Sequence, residues 1–108
     1  VIKLSITEAA ALSIVEQANY YQEASDLSLA HRWESAVDGA VHALLHLPLK
    51  GTPCRFDSPE LAGLRWVLVP GFPKQMVFYR FLQDENILLI VNVIYGARDL
   101  ETLLASNT

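Results

Sequence analysis

A single cysteine, Cys54, excludes any disulfide within the chain, and a reducing compartment is its natural setting. No apolar run approaches the roughly 18 residues that a membrane-spanning helix needs. The opening Val-Ile-Lys-Leu-Ser-Ile alternates as a strand does, unlike the long apolar segment of a signal peptide. A soluble cytoplasmic protein is the expectation. Charged residues are scarce, at 19%, while hydrophobic ones reach 52%, the reverse of what keeps a chain disordered. No internal repeat, glycine-rich phosphate loop or Ser/His/Asp arrangement is legible. The 108 residues suffice for one domain with one core and are too few for two, so residues 1–108 are read as a single domain.

Lysine and arginine are also thin, eight against twelve aspartates and glutamates, for a formal charge of −4. Residues 1–49 set Lys3 and Arg32 against six carboxylates, whereas residues 50–98 hold six cations against four carboxylates. An acidic first half disfavours nonspecific nucleic-acid binding, which draws on several unopposed cations. No direct sequence-specific DNA binding is expected of this chain. The second half leaves room for a local anion site.

The alternation over Val1 to Ile6 predicts a half-buried strand. Thr7 then stands where an N-cap belongs, with Glu8 favoured in the first turn by the helix dipole. A helix is expected from about Glu8 to Gln22, with Ala11, Val15, Ala18 and Tyr21 on its apolar face, widened by Leu12 and Ile14. Asp26 or Ser28 caps the next helix, whose stripe runs Leu29, Trp33, Ala36, Val37, Ala40, Leu44 and Leu47. Pro48 ends it. Residues 48–63 carry three of the five prolines and two of the five glycines and read as a loop, with a short helical turn at Pro59 to Ala62. Strands follow at Leu64 to Val69, Gln75 to Leu82 and Ile87 to Tyr95, separated by a Pro70-Gly71-Phe72-Pro73 turn and an Asp84-Glu85-Asn86 connection. The last run is apolar throughout and is expected to be the central strand. Arg98 to Leu104 is expected as a short helix. The fold class is therefore α+β, with order βααβββ. An N-terminal strand and an antiparallel helical hairpin pack on a four-stranded, mainly antiparallel sheet, the first strand at an edge or beside the central one.

Leu64-Arg65 at the opening of the sheet, Phe78-Tyr79-Arg80 in the middle strand, and Gly96-Ala97-Arg98-Asp99-Leu100 followed by Leu103-Leu104 give the chain a family likeness. So does the helical hairpin that ends in Leu47-Pro48 and then Gly51. In these features it resembles the ParE/RelE toxin superfamily, and specifically its ParE-like branch. Tyr95 departs from the histidine that many relatives place before the glycine, and the acidic charge departs from the superfamily's ribosome-dependent nucleases. The resemblance implies a toxin of a type II toxin–antitoxin pair, in a hetero-oligomer with a small antitoxin, often of ribbon-helix-helix type, whose flexible tail wraps the toxin. ParE-like members poison DNA gyrase, and RelE-like members cut mRNA in the ribosome. The shared fold does not choose between them.

A ParE-like toxin that binds DNA gyrase, with no cofactor and no active site, is the leading expectation. The alternatives are a RelE-like ribosome-dependent mRNA endonuclease and a non-toxic member that only binds its antitoxin. A nuclease would draw on Tyr95, Arg65, Arg80 and Arg98 for proton transfer and phosphate charge. The same arginines could instead pair with carboxylates such as Asp99 and hold the terminal segment on the sheet. Candidates for the target or antitoxin surface are Arg65, Arg80, Tyr95, Arg98, Asp99, Leu12, Val41 and Tyr79. Two apolar regions go with them: the strand face carrying Val67, Val69, Val77 and Tyr79, and a groove beside Leu12 and Val41. Asp38, His42 and His46 share a helix face at a spacing that suits zinc, although a solvated surface explains them equally. His31 stands alone. Cys54 reads as an inert thiol, and Trp33 and Trp66 read as core anchors.

Overall fold

The computed structural model describes residues 1–96 and 100–105. Its elements are β1 (Lys3–Ile6), α1 (Glu8–Ala24), α2 (Leu27–His46), β2 (Thr52–Pro53), a 3-10 turn (Pro59–Leu61), β3 (Arg65–Val69), β4 (Phe72–Leu82), β5 (Ile87–Tyr95) and α3 (Leu100–Ala105). One sheet runs in the order β1-β5-β4-β3-β2. β1 lies parallel to β5, and every other neighbour is antiparallel. The first strand is thus at an edge and beside β5, but β4, not the β5 run expected from sequence, is the central strand of the five. The expected four strands become five, because Thr52 and Pro53 pair with Trp66 and Arg65. A proline is tolerated there because an edge strand has a side that makes no ladder bonds.

The caps explain the helix boundaries. The Thr7 hydroxyl accepts from the Ala10 N–H at 3.0 Å and donates to the Val91 carbonyl at 2.7 Å, so one side chain starts α1 and pins that start to β5. Asp26, not Ser28, caps α2 by accepting from the Leu29 N–H at 2.8 Å, which moves the helix start forward to Leu27. The buried stripe of α2 runs through Ala30, Trp33, Val37, Ala40, Val41 and Leu44, and Leu47 is exposed. On α1 the inward face is Ala10, Ile14, Ala18 and Tyr21, while Ala11, Leu12 and Val15 face solvent. Residues 9–15 are apolar nearly all round, so periodicity marked no unique face there.

The expectation of a single core on one side of the sheet is corrected. The helical hairpin covers one face, where Trp33, Val37, Leu44, Val77, Tyr79, Leu88 and Ile90 form the larger cluster. Trp33 is fully buried and donates its indole N–H to the Ile14 carbonyl at 3.1 Å. The opposite face carries a second cluster, Leu61, Leu64, Phe78, Val91 and Leu104, joined by half-buried Phe56, Trp66 and Leu100. Its cover comes from the segment around the 3-10 turn and from α3. Glu101 ties these two together, its carboxylate accepting from the Ser58 N–H at 2.7 Å and hydroxyl at 2.6 Å.

Two irregularities shape the sheet. The turn before β4 closes at Gly71, with φ +82°, and Phe72 and Pro73 belong to the strand and not to the turn. The β4–β5 register shifts between Phe78 and Tyr79. Beside the shift the Asn92 side chain accepts from the Ser13 hydroxyl of α1 at 2.7 Å and from the Val93 N–H at 2.8 Å. The buried amide oxygen is thereby satisfied, as a polar group in a core must be.

Candidate functional site

The sequence-derived candidates fall at three separate places. The first is the segment after α2. Tyr79 on β4 is fully buried. Its hydroxyl donates to the Pro48 carbonyl and accepts from the Gly51 N–H, each at 2.8 Å. A Cβ on Gly51 would lie 2.5 Å from that hydroxyl, so the close approach requires glycine. Arg65, paired with Tyr79 across the ladder, donates to the Leu49 and Gly51 carbonyls at 3.3 and 2.8 Å. Burial pushes the Tyr79 phenol above its ordinary pKa, while the Gly51 N–H and the Arg65 charge oppose the shift. This set clamps a loop. Tyr79 is therefore not a surface residue, and the face holding Val69, Val77 and Tyr79 lies beneath the helices and offers no docking surface.

Arg80 occupies the second place. It follows Tyr79 on the strand and so turns to the opposite face, where it donates to the Glu60 carbonyl. Its Nε is buried with no acceptor among the described residues. Among the described residues this backbone carbonyl is its partner, and no carboxylate pairs with it. Arg98 and Asp99 lie outside the described residues.

The third place is the end of β5. Tyr95 is 48% exposed and sits opposite Gln75. Gly96 donates to the Lys74 carbonyl at 2.6 Å, and a side chain there would collide with the Met76 sulfur. Gln75, opposite Tyr95, is five positions from Arg80, roughly 17 Å along an extended chain. Tyr95, Arg65 and Arg80 are thus not brought together.

Val41 is part of the helix-side core and unavailable to a partner in this fold, whereas Leu12 is 57% exposed. The two residues thus differ in environment, Val41 in the core and Leu12 at the surface. Asp38 and His42 are close, 3.5 Å from Oδ1 to Nδ1, and the same ring nitrogen lies 2.8 Å from the Asp38 carbonyl. With His46 they do not form a group that could hold a metal ion; none exists among the described residues. Burial pushes the Cys54 thiol up to about 11, which leaves it a poor nucleophile at neutral pH. No described helix is long and apolar enough to cross a membrane.

Sequence reading missed the buried amides Gln75 and Asn92. The one signal for them was a lone asparagine within the apolar run Ile87 to Tyr95.

The architecture is thus an α+β sheet with a helical hairpin on one face, a short terminal helix on the other and a tyrosine-clamped loop after the hairpin. The family model described as ParE toxin of type II toxin-antitoxin system, parDE, matches residues 4–100, and the chain belongs to that family. A solved structure described as a chromosomal ParDE TA system from P. aeruginosa is similar, with a TM-score of 0.70 at 16% identity over 87% of this chain and 95% of that one. At that identity the likeness concerns the fold. Comparison with curated protein sequences gives no match.

Proposed function

We propose that this ParE-type toxin halts growth by binding protein, with DNA gyrase as its target and a cognate antitoxin, of ribbon-helix-helix type, as its inhibitor in the cytoplasm. The observation that carries the reading is the dispersal of the groups a nuclease would need. Arg65 and Arg80 face opposite sides of the sheet, each committed to backbone carbonyls of its own chain. Tyr95 is a strand length away. General acid–base cleavage of RNA needs its groups within hydrogen-bond reach of one phosphodiester. A binding protein needs only an exposed surface, and Leu4, Ile6, Leu12, Val15 and Tyr20 of the first strand and helix are each more than 40% exposed. Apolar side chains left exposed along the first strand and helix are ones that a protein partner would cover.

The test is a supercoiling assay with purified gyrase beside transcript mapping in a ribosome-containing extract. Inhibited supercoiling, relieved by the product of the adjacent antitoxin reading frame, is expected. Ribosome-dependent cleavage with unaffected gyrase would overturn the proposal in favour of the endonuclease. Loss of toxicity or of antitoxin affinity in Arg98→Ala is expected if the terminal segment belongs to the functional surface.

A further inference from the structure

We propose that the free edge of β5 at Asn92–Tyr95 is a strand-addition site for an extended partner segment that alternates basic and apolar side chains; on the reading above, that segment belongs to the antitoxin. The edge arises from a difference in strand length. β1 pairs with β5 only from Lys3↔Ile87 to Ile6↔Ile90. Thr7 then bonds the Ile90 and Val91 carbonyls and turns the chain into α1. β5 continues to Tyr95 with β4 on one side and, among the described residues, no strand on the other.

The ladder fixes which groups that edge presents. Asn92 and Ile94 stand opposite Phe78 and Met76, and Gly96 donates to Lys74. In an antiparallel pair these alternate positions bond inward, so Val93 and Tyr95 turn their backbone groups outward. The Val93 N–H is already taken by the Asn92 side chain. The Val93 carbonyl and the Tyr95 N–H remain as an acceptor and a donor in line with β1. Val93 is buried and Tyr95 is 48% exposed, so the edge opens at its Tyr95 end, where unpaired ladder groups are a template for another strand.

The surroundings select the occupant. The edge opens into a cleft of about 430 Å³ between α1 and α3, walled by Gln17 and Tyr20 on one side and Leu103 on the other. Tyr20 and Leu103 are 61% and 43% exposed and offer apolar seats for alternate side chains. Glu16 is the one charged residue lining the cleft among the described residues. α1 also carries Glu8 and Glu23 and contains no lysine or arginine. Such a wall favours cationic side chains and repels a phosphate backbone or an acidic peptide.

The experiment uses the full chain with its co-expressed antitoxin. Backbone amide exchange is followed at Tyr95, and affinity is measured for the parent, Tyr95→Pro, Tyr95→Phe and Glu16→Lys. Tyr95→Pro removes the outward N–H while sparing the inward ladder, and Tyr95→Phe keeps the backbone intact. Exchange at Tyr95 is expected to slow at least ~10-fold in the complex. The proline and lysine variants are expected to lose about tenfold or more in affinity, with the phenylalanine variant unchanged. A complex that forms while the Tyr95 amide exchanges freely and all variants bind like the parent overturns this inference and leaves the antitoxin reading standing. No binding by the parent chain overturns the antitoxin reading and this inference with it. Concentration-dependent protection of Tyr95 without antitoxin would assign the edge to a second copy of this chain and equally overturn it.

Discussion

Replacing Tyr79 by phenylalanine isolates one hydroxyl at the centre of the loop clamp. The ring keeps its packing beneath the helices, and no cavity beyond the oxygen's own volume is left. What disappears is the pair of 2.8 Å bonds to the Pro48 carbonyl and the Gly51 N–H. Each hydrogen bond of this kind is worth about 1 kcal/mol net, and a buried donor left without a partner costs about 1–3 kcal/mol. The Pro48 carbonyl is partly accessible, so water recovers some of its loss, whereas Gly51 is buried. The expected destabilisation is therefore about 2–3 kcal/mol. For a chain of this size that lowers Tm by roughly 8–24 °C. Chemical denaturation monitored by circular dichroism measures it, with an unchanged m-value confirming that only stability moved. A change below about 0.5 kcal/mol, the range of ordinary surface substitutions, would refute the view that Tyr79 satisfies this loop. The same group sets an alkaline limit. Its folded-state pKa is raised, so above pH 10 the unfolded chain binds fewer protons than the folded one, and stability falls as pH rises. Tyr79→Phe is expected to remove that component.

Three further outcomes follow from the packing. Glu101→Ala removes both acceptor bonds to Ser58 and is expected to cost about 1–3 kcal/mol while making α3 the first site of limited proteolysis. Asn92→Leu leaves the Ser13 hydroxyl and Val93 N–H without their shared acceptor and overfills the site; a loss of about 2–4 kcal/mol is expected, read from the denaturation midpoint. Cys54, with its thiol raised from 9.0 to about 11, adds stability that is whole below pH 9 and fades as pH climbs toward 11. Cys54→Ala is expected to flatten that part of the curve, and the native thiol is expected to react with a disulfide reagent at pH 7 far more slowly than the same thiol in denaturant.

The second core changes what the terminal segment does. Leu104 is fully buried against Leu61, Leu64, Phe78 and Val91, so α3 roofs the sheet face that the helical hairpin leaves bare. A six-residue helix is not stable alone in water. Its persistence here rests on tertiary packing and on the carboxylate bond to Ser58. Residues that looked like a functional tail in sequence therefore also carry part of the fold.

Local chemistry alone determined the hairpin of β4 and β5, the start of α1 and the family, and it narrowed the cap of α2 to Asp26 or Ser28. The acidic connection at Asp84-Glu85-Asn86 ends with Asn86 at φ +56°, a conformation asparagine tolerates, and the apolar runs on either side set the strands. Thr7 and Asp26 cap through neighbours three residues away. These interactions reach only a few positions, so sequence patterns encode them. Arg65, Arg80 and Tyr95 were legible as chemically distinctive residues, but their separation was not, because it depends on the register that sets Arg65 opposite Tyr79 and Tyr95 opposite Gln75. Tertiary structure alone decided the inward face of α1, the roof over the second core, the added strand β2 and the pairing of β1 with only the first part of β5, which frees the rest of that edge. Each of these depends on contacts between distant parts of the chain, as when Lys3 meets Ile87. Such contacts form only where two surfaces bury each other, and no short-range periodicity records that choice.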